Sequence, residues 1–389
     1  MATASVEVVY RGIFQKTLAQ RICRGIVLAA RKESKIGIAF GRYGDSPERN
    51  GIPAKQFAVV ADDQEELEGY LARYEPDNND VTVVLDDTLC KGVESWAWYG
   101  LQPITRLLKP GGVLLATSLL EPGDLIPLIH AREHDYSLAV VKGGASFSGL
   151  WVYKDDHTDV RVLGALAKAA PHIVSLDSIQ QAVRQEWPDD LKLKSAQLSH
   201  QRVLTRRVEP GEGSQGETYS FELPKWYEMK EGIAIPAIAA RGDTPGWSGG
   251  YRPGRNPTFR KFSTRTMRPV VDFDKCIKCT LCWLQCPDSC FDVTPEGLYD
   301  ASMEACCGCG ICEAVCPVED CIVMVNEEEF ADNASQYEMW QKDHDGYNQW
   351  AHEKMALSRS RGRSHGFARR GQYQAEKQRI LEEVTGGQT

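Results

Sequence analysis

The sequence predicts a doubly wound α/β domain over residues 1–200 and a small α+β domain built around cysteines at 263–330. An extended linker at 201–262 joins them, and a helical tail follows at 331–389. Three observations carry this division. Over the first 200 residues short apolar runs alternate with amphipathic stretches, the signature of strands and helices in a mostly parallel sheet. Eleven of the thirteen cysteines fall within 46 residues, from Cys276 to Cys321. Between these regions glycine and proline accumulate, a composition that builds a connector rather than a core.

The expected strands are 6–10, 36–40, 57–61, 81–85, 113–117 and 138–142, and helical spacing appears at 17–32, 64–74 and 104–108. Gly111-Gly112 marks a turn into the fifth strand. Asp86-Asp87, closing the fourth, suits a helix cap better than a functional pair. In the linker, Trp226, Tyr227, Trp247, Tyr251 and Phe259 are too many aromatics for a free segment, so it lies against this chain or a partner. In the tail, Tyr337, Trp340, His344, Tyr347 and Trp350 recur at steps of three and four, a coiled-coil-like stripe. That stripe packs on its own chain or docks on another subunit. Gly346 weakens the helix by roughly 1 kcal/mol relative to Ala. Arg359, Arg361, Arg363, Arg369 and Arg370 follow without an acid between them, either a solvated run or the match for an acidic partner face.

The whole-chain balance narrows the classes. Of the 389 residues, 42% are apolar and 25% charged, which excludes wholesale disorder. A net charge of −9 argues against nucleic acid as partner. No run approaches the ~20 apolar residues of a membrane span, and residues 1–9 lack the pattern of a secretory signal. A cytoplasmic chain is therefore expected. Clustered thiols in a large chain of that kind build a metal site rather than a disulfide framework.

Cys276-Ile-Lys-Cys279-Thr-Leu-Cys282-Trp-Leu-Gln-Cys286-Pro287 reads C-x2-C-x2-C-x3-C-P, and Cys306-Cys-Gly-Cys309-Gly-Ile-Cys312-Glu-Ala-Val-Cys316-Pro317 repeats it 30 residues later. Three closely spaced thiolates wrap one iron–sulfur cluster, and the fourth reaches the other, giving an α+β two-cluster ferredoxin-like domain. The expected ligands are crossed. One [4Fe–4S] cluster takes Cys276, Cys279, Cys282 and Cys316; the second takes Cys306, Cys309, Cys312 and Cys286. Zinc fits less well, because it uses pairs of ligands separated by a longer loop. Cys290, Cys307 and Cys321 are left over. Packing as small apolar groups suits Cys290 and Cys321, with a third site as the alternative. Pro287 and Pro317 bend the chain after each fourth ligand. Lys275 precedes the first run and Lys278 lies within it, both close to the first cluster. A cation there raises the cluster's potential, unless the side chain only faces solvent.

Other motifs are absent or out of place. Gly211-x-Gly213-x-x-Gly216 matches a dinucleotide fingerprint in letters but follows Pro210, with no strand before it. No phosphate loop, thiamine diphosphate motif, paired histidines or nucleophilic triad occurs. The chain carries an electron wire and no reaction centre.

The stretch Thr266-Met-Arg268-Pro269-Val-Val-Asp272-Phe-Asp-Lys-Cys276, with Cys282-Trp283-Leu-Gln-Cys286-Pro287, resembles the ferredoxin-type delta subunit of the 2-oxoacid:acceptor oxidoreductases, the pyruvate:ferredoxin oxidoreductase superfamily. Gly246-Trp247 and the arginine-rich stretch to Arg268 resemble that subunit's arm. Phe40-Gly-Arg-Tyr-Gly-Asp-Ser-Pro47-Glu48-Arg49-Asn-Gly51, Gly164-Ala-Leu-Ala-Lys-Ala-Ala and Ile173-Val-Ser-Leu-Asp-Ser are similar to the gamma subunit. The resemblance implies a gamma–delta fusion over about 1–330. At Arg11-Gly12-Ile-Phe-Gln15-Lys-Thr the chain departs from the family's glycine-rich turn, which puts nucleotide or coenzyme A contact there in doubt.

By that resemblance, thiamine diphosphate, Mg2+ and a further [4Fe–4S] cluster sit on alpha and beta partner subunits in a hetero-oligomer. This chain then receives electrons from oxidative decarboxylation and passes them to a ferredoxin or to a flavin (FAD)/NAD subunit. The fusion and tail fit an anaerobic multi-subunit relative such as phenylglyoxylate dehydrogenase. The competing expectation is a self-standing ferredoxin-like carrier whose α/β domain binds a small ligand at the ends of its strands. A purely structural iron–sulfur scaffold is a third.

Overall fold

The computed structural model describes residues 3–42, 53–72, 75–94, 101–144, 146, 155–215, 265–360 and 382. The linker aromatics Trp226, Tyr227, Trp247, Tyr251 and Phe259 lie outside them, as do Arg361, Arg363, Arg369 and Arg370 and the segment Pro47–Gly51 of the gamma-like stretch.

The first unit is built on β1 (Thr3–Arg11), α1 (Ile13–Lys32), β2 (Ile36–Gly41), β3 (Pro53–Ala61), α2 (Gln64–Leu71) and β4 (Asn79–Val84). A 3-10 turn (Asp87–Lys91) and the short β5 (Val93–Glu94) and β6 (Leu101–Gln102) lead to β7 (Leu108–Ser118) and α3 (Pro122–Leu125). Then come β8 (Tyr136–Lys142), α4 (Thr158–Ala169), α5 (Leu176–Glu186), α6 (Asp190–Arg202) and β9 (Leu204–Val208). All six expected strands form.

The sheet corrects the expected topology. Its seven strands run β2-β3-β1-β4-β7-β8-β9. The pairs β1/β4, β4/β7 and β7/β8 are parallel, whereas β2/β3, β3/β1 and β8/β9 are antiparallel. The sheet is therefore mixed, not mostly parallel. Nor are its faces equally wound. Leu18, Ile22 and Ile26 of α1 join Val160 and Leu163 of α4, Ile179 and Val183 of α5, and Ala196 of α6 over one face. Short α3 and the turns cover most of the other, with α2 at the β2/β3 edge. The departure comes from β2, β3 and β9, which pair antiparallel with their neighbours.

Two local expectations also change. Residues 104–107 form turns and Leu108 opens β7, so the expected helix is absent there; a segment this short carries little helical stability of its own. Gly111-Gly112 lies inside β7, where the pairing with β4 shifts register between Asn79 and Val81, so it marks a bulge rather than a turn. The linker's expected start at 201 is overturned as well. Residues 204–208 close the sheet as an edge strand, and Ser214 bridges His130. Thr205, Arg206 and Arg207 are exposed there, which erased the apolar pattern; charged edges of this kind resist pairing with other chains. Gly164 of α4 has a packing role, since a Cβ there would meet the Ala196 carbonyl oxygen of α6 at 2.1 Å.

The cysteine-rich unit comprises β10 (Met267–Val271), α7 (Leu281–Leu284), β11 (Phe291–Val293), β12 (Tyr299–Ala301), α8 (Ile311–Val315) and β13 (Ile322–Asn326). β10 pairs antiparallel with β13, and β11 with β12. Helices α9 (Gln336–Lys342) and α10 (His344–Ser360) close over it. Phe273 meets Tyr337, Trp340 and Tyr347 at ring-centroid distances of 6.1, 5.8 and 5.5 Å. The Tyr347 hydroxyl donates to the Val271 carbonyl at 2.7 Å, and Ser358 Oγ to that of Met324 at 2.6 Å. The expected docking tail is thus, over 336–360, part of this unit's own core. Its stripe is split between two helices. Asp343 separates them and accepts from the Gly346 N–H at 3.0 Å; a Cβ on Gly346 would meet that carboxylate at 2.1 Å.

Candidate metal centre

Each cysteine run folds the same way. The residue before the second cysteine and the one after it take left-handed backbone: Lys278 (φ 59°) and Thr280 (φ 68°) in the first run, Gly308 (φ 72°) and Gly310 (φ 79°) in the second. These reversals wrap the chain, and short α7 and α8 then carry Cys282 and Cys312 inward.

Two cavities result. The first is lined by Cys276, Cys279, Cys282, Cys316 and Cys321, with Val271, Ile277, Tyr299, Val318 and Ile322. The second is lined by Cys286, Cys290, Cys306, Cys307, Cys309 and Cys312, with Phe291, Ile311 and Met324 among its apolar walls. All eight expected ligands are brought together, and each cavity holds three cysteines of one run and the last of the other. The empty space is about 380 Å³ in the first and 300 Å³ in the second, open solvent included. Among the described residues no group of three or more His, Cys, Asp or Glu is close enough to hold a single metal ion. The thiols surround a volume, not a point. A polynuclear group with soft thiolate ligands fits such a site, and one tetrahedral zinc does not.

The surroundings of the two cavities differ. Behind the second, Arg265 is wholly buried. Its guanidinium donates to the carbonyls of Met303 and Cys306, the latter at 3.0 Å, and to both Glu327 carboxylate oxygens at 2.7 Å. Arg268 donates to the same carboxylate at 2.6 and 3.0 Å and lies 4.3 Å from the Phe330 ring. Burial alone would raise the Glu327 carboxyl, but the charge and hydrogen bonds of Arg265, with those of Arg268, pull it down to about 2. Lys91 of the first unit donates to the Arg265 carbonyl, and burial lowers its ammonium to about 8. Arg11, 1% exposed, donates to Met267 Sδ at 2.7 Å and pairs with Asp86 at 3.1 Å. A seam of buried charge thus joins the two units behind the second cavity. Asp86 also caps the 3-10 turn through the Thr88 N–H at 3.0 Å, as its sequence position suggests.

The first cavity faces outward. Ile277 is 62% exposed and Leu284 60%, and Lys275 and Lys278 are both exposed. Asp272 accepts from the Lys275 N–H at 3.2 Å and lies 3.0 Å from His352 Nε2. The Cys321 hydrogen bond holds the Cys276 thiol down at about 6, whereas burial pushes that of Cys282 up to about 12. Cys23 and Cys90 lie buried in the first unit, away from both cavities. At the departure from the glycine-rich turn, Gln15 is turned inward. It accepts from the Arg11 N–H at 2.7 Å and donates to the Ser146 carbonyl at 2.9 Å. Sequence reasoning missed Arg265, Glu327 and Lys91 as parts of this centre. The only signal was the arginine-rich approach to Arg268.

Residues 269–324 match the family described as the 4Fe-4S dicluster domain. Pyruvate synthase subunit PorD of Thermotoga maritima is 36% identical over 112 residues, covering 28% of this chain and 95% of that subunit. The chain belongs to the 2-oxoacid oxidoreductase family. Within that family it is an electron-transfer subunit carrying 4Fe–4S chemistry. The NADH-dependent phenylglyoxylate dehydrogenase subunit delta of Aromatoleum evansii is 51% identical over 53 residues; the match covers 14% of this chain and 56% of that subunit. The Thermotoga maritima pyruvate oxidoreductase subunit PORC covers 52% of this chain and 98% of its own at 20% identity, with a TM-score of 0.37, too low to establish a shared fold. Among the described residues no helix is long and apolar enough to cross a membrane.

Proposed function

We propose that the chain holds two [4Fe–4S] clusters and relays electrons within a 2-oxoacid oxidoreductase complex. Cys276, Cys279, Cys282 and Cys316 hold the first, and Cys306, Cys309, Cys312 and Cys286 the second. The single observation behind this reading is the lining of the two cavities, each with three cysteines of one run and the last of the other. When bound, such clusters accept and release one electron at a time, at potentials set by charge, hydrogen bonds to sulfur and exposure. The chain's own residues supply those settings. The outward first cavity is the end open to a partner, and the second lies against buried cations.

The gamma-like stretches of the first unit support a gamma–delta fusion. On that reading alpha and beta partner subunits hold thiamine diphosphate, Mg2+ and a further [4Fe–4S] cluster, and the acceptor is a ferredoxin or a flavin (FAD)/NAD subunit. The first unit extends past residue 200, since β9 (Leu204–Val208) pairs with β8 in its sheet. One observation favours the self-standing carrier: the aromatic stripe of α9 and α10 is largely taken up by its own chain, which removes one argument for a docked partner.

The test is a pull-down from the native host with iron, thiamine diphosphate and flavin assayed in the eluate. Thiamine-binding chains co-eluting with about eight iron per copy of this chain, plus the iron of any partner cluster, are expected. A lone chain with eight iron and no thiamine would shift the weight to the carrier. In the purified full chain, Cys282→Ala should remove the first cluster, leave about half the iron and block acceptor reduction. Full acceptor reduction by that variant would end the relay reading.

A further inference from the structure

Each cysteine cavity contains more thiols than four ligands require, and two of the extra ones stand in matching places. Cys290 Sγ lies 3.0 Å from Cys286 Sγ and also hydrogen-bonds Cys306. Cys321 lines the first cavity together with Cys276 and Cys316. In the ligand sets proposed above, Cys286 and Cys306 belong to one cluster, and Cys276 and Cys316 to the other. Each extra thiol therefore sits between the ligand that crosses over and the first ligand of the run it joins. Both thiols are buried, at 3% and 2% exposure. A residue that only fills space has no reason to find the same two neighbours in both cavities.

We infer that Cys290 and Cys321 are hydrogen-bond donors to the ligand thiolates, and that they raise the reduction potential of the cluster each one touches. The inference rests on the two-cluster reading above. The physics is a matter of sign. A reduced cluster carries one more negative charge than an oxidised one, and part of that charge sits on the ligand sulfurs. An S–H dipole aimed at such a sulfur stabilises the reduced state more than the oxidised state, so reduction becomes easier. Apolar side chains line both cavities beside the donors, which strengthens the effect.

The two donors are not equal. Besides the Cys290 thiol, Cys286 Sγ accepts the Cys290 backbone N–H at 3.4 Å, so two donors of one residue converge on one ligand. The single S–H of Cys321 has a rival acceptor in the Asp272 carbonyl at 3.6 Å. The larger effect belongs to the second cluster.

The test is an EPR-monitored redox titration of the full iron-loaded chain. Cys290→Ala should lower the midpoint of the second cluster alone. A tenfold fall in its reduced-to-oxidised ratio at fixed potential corresponds to about 59 mV for one electron. Cys290→Ser, which keeps a donor, should recover most of that shift. Cys321→Ala should lower the first cluster alone, and by less. Unmoved potentials in both alanine variants would overturn the inference, as would equal shifts from Ala and Ser. If alanine loses the cluster, Cys290→Val fills the space without a donor and makes the same comparison. Pulsed EPR of wild-type protein exchanged into D2O needs no variant. A strongly coupled deuteron beyond those of the backbone amides, lost in the alanine variant of the same cysteine, supports the donors, and its absence overturns them. Wild-type iron well below eight per chain would instead defeat the two-cluster reading, so the two failures are distinguishable.

Discussion

The two cysteine runs share one spacing and one backbone path, yet meet its demands with different residues. The second run puts Gly308 and Gly310 at its left-handed positions; the first puts Lys278 and Thr280 there. For an L-residue with a side chain that conformation costs roughly 1–2 kcal/mol. The surroundings explain why only one run accepts the cost. Gly308 and Gly310 are buried, and a Cβ on Gly308 would meet the Met267 carbonyl oxygen at 2.2 Å. Lys278 and Thr280 are exposed, so their side chains have room. Gly308 is thus favoured by angle and required by space, whereas in the first run only the angle disfavours a side chain. The same backbone path is crowded at Gly308 and has room at Lys278 and Thr280.

The sharpest way to break this comparison is Gly308→Ala. Backbone strain and the collision with Met267 together cost roughly 3 kcal/mol or more. The second cluster should be lost and the first kept, so iron analysis and EPR should show about half the metal. Full retention of both clusters would mean that the second run is no more confined than the first.

Next in size is Glu327→Gln, which leaves Arg265 and Arg268 buried without their shared carboxylate. The folded Glu327 value, about 2, lies below the ordinary 4.5. Its stabilisation is therefore fully present above pH 4.5 and is lost as pH falls toward 2. From that difference the wild-type advantage at neutral pH is about 3 kcal/mol. Denaturant unfolding should show it, and the gap should narrow by about 2 kcal/mol at pH 3. A gap that does not change with pH would exclude this carboxylate as its source.

The smallest effect sharpens the comparison from the other side. Lys278→Gly should raise stability by about 1 kcal/mol through relief of the left-handed strain, less the added freedom of the unfolded chain. A melting temperature that falls would show that the Lys278 side chain makes a stabilising contact.

What was legible in the sequence followed the range of the interactions. The eight cysteines could be paired into cavities on paper because thiol spacing within a run is local and the backbone between is short. The strands of the first unit were legible for the same reason. Antiparallel β9 was not, since Thr205, Arg206 and Arg207 on an exposed edge carry no apolar alternation. Arg265 was not, because its partner Glu327 lies 62 positions away and neither has meaning alone. The aromatic stripe of the tail was visible as a stripe. Its burial against Phe273 depends on a strand pair that no periodicity announces.

Arg11 ends the first strand, yet its guanidinium is covered in part by Met267, 256 positions further along. Lys91 likewise waits for the Arg265 carbonyl. On the ribosome, the roughly 110 residues from the end of the first unit to the end of β13 take on the order of 5–20 s to appear. For that interval the sheet carries two cations whose cover has not yet been made. The cover arrives with Arg265 and β10, the strand that leads into the cysteine runs. The join between the two units is thus completed only after the second unit has been made.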